Sequence, residues 1–232
     1  MLHYQFILTF LPPLPETGGI PPITFREILD KVRAEECQPA EQLVMCMLCE
    51  EELFEILRLR FKKSMSAGHS NSAPVSTTDN TETPDCIFDS LKAILATDSS
   101  DVSEEEFYDS LWRTYFAELV KIGKNCRSPL MNSFADWESN LRESLAIARK
   151  TGVVQDDEFK SVISEWHNSP DPMTAEKALD SARWNFIQSN HEHYAFSADE
   201  FTAYLLKLRS INRYHRLDSK RGREILQEVA SL

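Results

Sequence analysis

Ser128-Pro-Leu-Met-Asn-Ser-Phe-Ala-Asp-Trp-Glu-Ser-Asn-Leu-Arg-Glu-Ser-Leu-Ala-Ile-Ala-Arg-Lys-Thr-Gly152 is the stretch that decides the fold. Leu130, Phe134, Trp137, Leu141, Leu145 and Ala148 recur in steps of three and four, which puts them on one face of a helix. Gly152 follows as a stop, because a left-handed cap suits a residue without a side chain. The period is the helical 3.6, with no alternation of period two.

The same signal spreads outward. Ser103 and Glu106 form a capping box, in which the hydroxyl takes an early amide and the carboxylate reaches back; the helix it opens carries Phe107, Leu111, Tyr115, Leu119 and Ile122. Thr24 and Glu27 form another box. A helix follows Pro39 and runs to about Lys63, with Leu43, Met47, Phe54, Leu57 and Phe61 along one side. Further helices are expected near 85–96, 157–167 and 174–189. Ser197 and Glu200 make a third box, opening a helix with Phe201, Tyr204, Leu205, Leu208 and Ile211 inward, and a last helix is expected from Ser219 to Ala230.

Two stretches read differently. In residues 3–11, Tyr4, Phe6, Leu8 and Phe10 alternate like a strand, while Tyr4, Ile7, Leu8 and Leu11 fit a helical face. Leu11-Pro-Pro-Leu-Pro15 stops either one, since proline lacks the amide donor and restricts its predecessor. Residues 64–84 hold only Met65 and Val75 as large apolar side chains, too few to offset ordering entropy, and read as a flexible loop. The expected fold is all-α: a multi-helix bundle with a short N-terminal strand or helix. It divides into a helical part at 1–63, the loop at 64–84 and a second helical part at 85–232, which together are expected to form one compact domain.

Composition narrows the function classes. The 232 residues carry a net charge of -12, which disfavours binding to phosphate backbones. Six glycines are few for glycine-loop nucleotide sites, and neither a Walker loop nor a G-x-S-x-G elbow is present. Five cysteines, an odd count without scaffold spacing, fit a reducing compartment. The apolar opening has no Lys or Arg before it and no small-residue cleavage site, so it does not read as a signal peptide. No stretch approaches the ~20 apolar residues that span a bilayer. Direct membrane insertion is therefore not expected.

Several residues invite a chemical reading. Cys46-Met-Leu-Cys49 has redox spacing but lies inside a helix, away from an N-terminus that would stabilise a thiolate, and no second pair completes a zinc site. Buried packing is the plainer reading. His191-Glu-His193 resembles a metal pair but lacks an evident third ligand, with His167 and Asp199 as the residues that could approach in space. The acidic run Asp101–Glu106 complements the positive end of the helix that starts there. Trp112, Trp137, Trp166 and Trp184 sit in helical patterns and read as core or interface anchors.

The C-terminal stretch stands out by charge. Lys207, Arg209, Arg213, Arg216, Lys220, Arg221 and Arg223 are opposed only by Asp218, so residues 207–223 carry +6 (seven cations less one anion) in a chain of net -12. Such a segment needs an acidic counterpart: the protein's own surface, a partner subunit, or, against the overall charge, nucleic acid itself as an anionic partner.

Phe196, Tyr204-Leu-Leu-Lys-Leu208, Arg213-Tyr214, Leu217-Asp218 and Gly222 resemble the C-terminal signature of a small bacterial family encoded beside V-type ATP synthase subunits. Tyr4-Gln-Phe-Ile-Leu-Thr-Phe-Leu11, with Leu14, is similar to that family's opening. The resemblance covers roughly 3–14 and 184–229, with 64–84 looking like an insertion. It implies a role like the socket component of V-type ATPases, an all-helical peripheral part that seats the rotating central stalk on the membrane ring. That socket component is longer and built of three repeated helical units. The implied partners are other V-type ATP synthase subunits of the central stalk and membrane ring. The implied place is cytoplasmic, peripheral to the inner membrane through those partners. No catalytic residue and no cofactor carry over. The expected partner interface is Tyr204, Lys207, Arg209, Arg213, Arg216, Lys220 and Arg221. Two rival readings are a helical adaptor or regulator unrelated to ATPases, and a metal-dependent hydrolase built from Asp, Glu and His.

Overall fold

The computed structural model describes residues 2–67, 84–96, 103–152, 157–191 and 196–216. Within them every regular element is an α-helix: α1 (Leu2–Phe10), α2 (Phe25–Ala34), α3 (Gln38–Ala67), α4 (Asp89–Leu95), α5 (Glu104–Cys126), α6 (Pro129–Thr151), α7 (Lys160–His167), α8 (Pro172–Asn190) and α9 (Ala198–Arg216). The fold class is all-α.

Local chemistry sets most boundaries. The Thr24 hydroxyl accepts the Glu27 amide at 3.2 Å while the Glu27 carboxylate accepts the Thr24 amide at 2.8 Å. Ser103 and Glu106 repeat this at the head of α5, with both bonds at 3.2 Å. Gly152 caps α6 at φ 70°, its amide donating to the Ala148 carbonyl at 2.8 Å. The third box is half formed. The Glu200 amide donates to Ser197 Oγ at 3.3 Å, but the Glu200 carboxylate turns to the Phe196 amide at 2.7 Å. Phe196 is held there at φ 44°, a left-handed conformation that costs a bulky residue.

The structure decides one open alternative and moves two boundaries. Residues 2–10 are helical, because Ile7 is buried and Tyr4 meets Phe201 of α9 with ring centroids 5.9 Å apart. That packing suits a helical face and not alternation. α3 runs on to Ala67 and takes the first residues assigned to the 64–84 loop; residues 68–83 lie outside the described ones. α4 is shorter than the expected 85–96. The helix expected at 219–230 also lies outside the described residues.

The two expected helical parts share one core. Its buried side chains run from Ile7 through Leu43, Met47, Leu53, Leu111, Phe134 and Phe201 to Leu208, so α3 packs against α5 and α9 across the 64–84 segment. A smaller cluster joins Leu141, Leu145 and Ala148 of α6 to Phe159, Ile163 and Leu179 under α7. Of the residues expected on one side of α3, Leu43, Met47 and Leu57 are buried and Phe54 is half-buried against Trp112. No described helix is long and apolar enough to cross a membrane.

Candidate functional site

The inward faces of four helices carry charge where a bundle ordinarily carries leucine. Glu50 of α3 lies one turn from Met47 and Leu53. Glu138 of α6 lies one turn from Phe134 and Leu141. Asp180 and Arg183 of α8 lie within a turn or two of Leu179 and Ile187, and Arg209 of α9 follows Leu205 and Leu208. The apolar period that buries the neighbours buries these groups with them. Five of these charged residues, Glu50, Glu138, Asp180, Arg183 and Arg209, are less than a tenth exposed.

Such burial is tolerated only when charges are paired and hydrogen-bonded. Arg183 grips Glu138 through two bonds, Nε to Oε2 at 2.8 Å and Nη2 to Oε1 at 2.9 Å, and gives Nη1 to Asp180 at 2.8 Å. Arg209 makes a two-toothed pair with Glu50, of which Nη2 to Oε1 spans 2.6 Å. Arg213 donates Nε to Asp180 at 2.8 Å and Nη2 to Glu176. Arg142 donates Nε to Glu138 at 3.1 Å, and its Nη2 stands 3.9 Å from Glu50. Four arginines thus face four carboxylates and the cluster is neutral as a whole.

Burial alone would push both glutamates up. At Glu50 the adjoining Arg209 outweighs burial and holds the carboxyl below its ordinary value. At Glu138, Arg183, Arg142 and Arg209 together outweigh it by more, and the carboxyl falls well below the usual range. Burial likewise lowers Arg209 and Arg183, but their carboxylates reverse the direction and both end raised. Arg142 goes the other way. Its burial is not fully compensated by Glu138 and Glu50, and its pKa is lowered. Two atoms of the cluster, Arg209 Nη1 and Asp180 Oδ2, are buried without a hydrogen bond. The Arg209 guanidinium also lies 5.3 Å from the Phe134 ring centroid.

The ion pairs floor two open cavities. One, of about 480 Å³, lies between α2, α3, α8 and α9 and includes Glu50, Phe54, Glu176, Arg209 and Arg213 in its lining. The other, of about 500 Å³, lies between α3, α5, α6, α8 and α9 and includes Trp112, Phe116, Arg142 and Arg183. Phe54, Glu176 and Arg213 border both, so the two form one cleft pinched at that bridge. Both cavities fall in the size range of small-molecule sites.

The basic stretch divides accordingly. Arg209 is not available to a partner: it is sealed against Glu50, and the counterpart it needed is the protein's own core. Arg213 is half-buried and spends its donors on Asp180 and Glu176. Tyr204 donates its hydroxyl to the Pro12 carbonyl at 2.8 Å, tying α9 to the N-terminal segment. Lys207, half-buried, stands 5.9 Å from the Trp184 ring centroid and 3.4 Å from His191 Nε2. Arg216 ends α9, while Lys220 and Arg221 lie outside the described residues.

The other singled-out residues have plain surroundings. Cys46 and Cys49 are fully buried, and burial pushes the Cys49 thiol up to about 12 and the Cys46 thiol well up, so neither presents a thiolate. His191 Nδ1 lies 2.8 Å from the Ile187 carbonyl, which can only accept, so Nδ1 carries the proton. Asp199 does not turn toward His191. It accepts from Ser128 Oγ at 2.7 Å and from the Leu130 amide at 3.0 Å, completing the cap of α6. His193 lies outside the described residues, and His167 is exposed at the end of α7. Among the described residues no three His, Cys, Asp or Glu are grouped to hold a metal ion. Each tryptophan is an anchor: Trp137 stacks on Phe186 at 4.7 Å, and Trp112, Trp166 and Trp184 each meet a cation across the ring.

Sequence reasoning missed the cleft and the carboxylates of the ion-pair network beneath it. Glu50, Glu138, Glu176 and Asp180 sit at core-facing helical positions, and a charged residue in such a register was the available signal.

The fold and site together define a helical bundle braced by buried ion pairs. A family model described as "Protein of unknown function (DUF2764)" matches residues 155–232, the part of the chain that holds α7, α8 and α9. No curated protein and no solved structure matches the chain.

Proposed function

We propose that the protein is a non-catalytic structural subunit of a V-type ATP synthase, a socket standing between the soluble head with its central stalk and the membrane ring. One observation carries this reading. The two stretches that resemble the ATP synthase-associated family, at opposite ends of the chain, meet in space. Tyr204 bonds Pro12 across 192 residues, and Tyr4 packs on Phe201. A signature split between distant segments makes sense when they form one surface. Helices locked by buried guanidinium–carboxylate pairs also suit a part that must pass torque without yielding. In this reading the protein stays cytoplasmic and reaches the inner membrane only through other subunits. In this reading the basic residues Arg216, Lys220 and Arg221 meet an acidic partner subunit.

The test is isolation of the tagged full-length protein from membranes of its native cell under mild detergent. Central-stalk subunits of the ATP synthase are expected to co-purify in fixed ratio, and charge reversal at Arg216, Lys220 and Arg221 is expected to reduce the yield. A folded protein that fails to enter a complex reconstituted from its operon partners refutes the assignment.

A further inference from the structure

The cavity between α3, α5, α6, α8 and α9 has the makings of a ligand site, and Arg142 lines it. The Arg142 side chain is one-quarter exposed and lines the cavity. Its Nε is committed to Glu138 at 3.1 Å, Nη2 stands in a long ion pair with Glu50 at 3.9 Å, beyond hydrogen-bonding reach, and Nη1 has no acceptor among the described residues. Arg183 and Arg209 are sealed inside the network, and Arg213 spends Nε and Nη2 on Asp180 and Glu176. Among the described residues, Arg142 alone of the four makes no hydrogen bond through Nη1 or Nη2.

The edge bearing these two nitrogens is held in place. The guanidinium carbon lies 4.2 Å from the Trp112 ring centroid and 5.3 Å from that of Phe116, which fixes the plane from one side. A planar, pre-oriented fork with unused N–H groups matches a carboxylate or phosphate edge. Five arginines and three carboxylates line the cavity, so it has no acidic excess to repel a single anion. Leu145, Ala146 and Leu179 add apolar wall beside the aromatic rings. A volume of about 500 Å³ leaves room for a small ring as well as its acid group.

We propose that this cavity binds a small aryl oxyanion, with the carboxylate or phosphate on the open edge of Arg142 and the ring against the apolar wall. The lowered pKa of Arg142, a charge that burial leaves under-compensated, agrees with this. The site does not depend on the ATP synthase reading, and either stands without the other.

Titration calorimetry of the full chain with benzoate, phenyl phosphate, inorganic phosphate and benzyl alcohol tests it. Benzoate or phenyl phosphate is expected to bind one per chain with a Kd of about 1 mM or tighter at low salt. Benzyl alcohol, which lacks the acid, and inorganic phosphate, which lacks the ring, are expected to bind at least about tenfold more weakly. The tighter of the two aryl acids assigns the acid group. Arg142→Lys keeps the charge beside Glu138 but loses the fork, and should weaken binding about tenfold or more. Phenylglyoxal labelling of the unaltered protein needs no variant: the bound acid should slow modification of Arg142 and leave the exposed Arg127 unchanged. Absence of saturable binding by either aryl acid, undiminished affinity of folded Arg142→Lys, or labelling of Arg142 at the same rate with ligand present overturns the proposal.

Discussion

Replacing Arg209 by methionine strands Glu50 in the core, and the cost can be worked from the geometry. Glu50 is only 4% exposed, and Arg209 supplies its two-toothed partner. Removing one member of a buried pair typically costs about 3–5 kcal/mol, because an uncompensated charge is left behind. Arg142 remains with Nη2 at 3.9 Å from Glu50, so the loss should fall at the low end, about 3 kcal/mol. For a chain of this length each kcal/mol moves Tm by about 2–4 °C, giving a drop of about 6–12 °C. The double variant Glu50→Leu/Arg209→Met removes both charges and should recover most of that loss, since apolar replacement of a buried pair is often neutral or better. Arg26→Ala, which breaks an exposed pair with Glu52, should cost less than about 1 kcal/mol. Thermal and urea unfolding followed by far-UV circular dichroism gives all the corners of the cycle. A single variant within about 1 kcal/mol of the parent, or a double variant no better than the single, would refute the reasoning.

Ser128→Ala should cost about 1–3 kcal/mol by urea midpoint, since the fully buried hydroxyl caps the Met131 amide and bonds both Asp199 and Thr202; a change of a few tenths would mean that water replaces it freely. Acid should unfold the protein from a defined point. Glu50 and Glu138 both have folded-state pKa values below the ordinary 4.5, so their contribution is complete above about that pH and drains away as pH falls through the lower folded values. A urea midpoint that stays flat from neutrality to about pH 5 and then falls steeply fits this, and a steady decline across the whole range does not. In thiol titration with an aromatic disulfide at about pH 8, half-buried Cys86 should react first and Cys46 and Cys49 only after denaturant; prompt reaction at either buried thiol would contradict their packing.

What was legible in the sequence was local. The capping boxes at Thr24 and Ser103, the 3.6 period of α5, α6 and α9, and the stop at Gly152 depend on residues within a turn of one another. Where a third party intervened, the reading slipped. Glu200 left its box to hold the Phe196 amide. The first helix showed both periods, and the packing of Tyr4 on Phe201 of α9, with Ile7 in the core, decided between them. The cleft was invisible for a related reason. Glu50 meets Arg209 at a separation of 159 residues and Arg183 meets Glu138 at 45. A one-dimensional charge count showed that residues 207–223 are basic and left the protein's own acidic surface as one of several counterparts. It could not see that Arg209 and Arg213 are neutralised inside the bundle.

The contact between α1 and α9 has a consequence for synthesis. The Pro12 carbonyl waits for Tyr204, 192 residues later, and at about 5–20 residues per second that delay is about 10–40 s on the ribosome. For that interval the nascent chain carries Tyr4 and its apolar neighbours without the α9 surface they meet in the folded protein. Chaperone binding to the nascent α1, and sensitivity of yield to translation speed over the stretch leading up to Tyr204, follow from where this one latch closes.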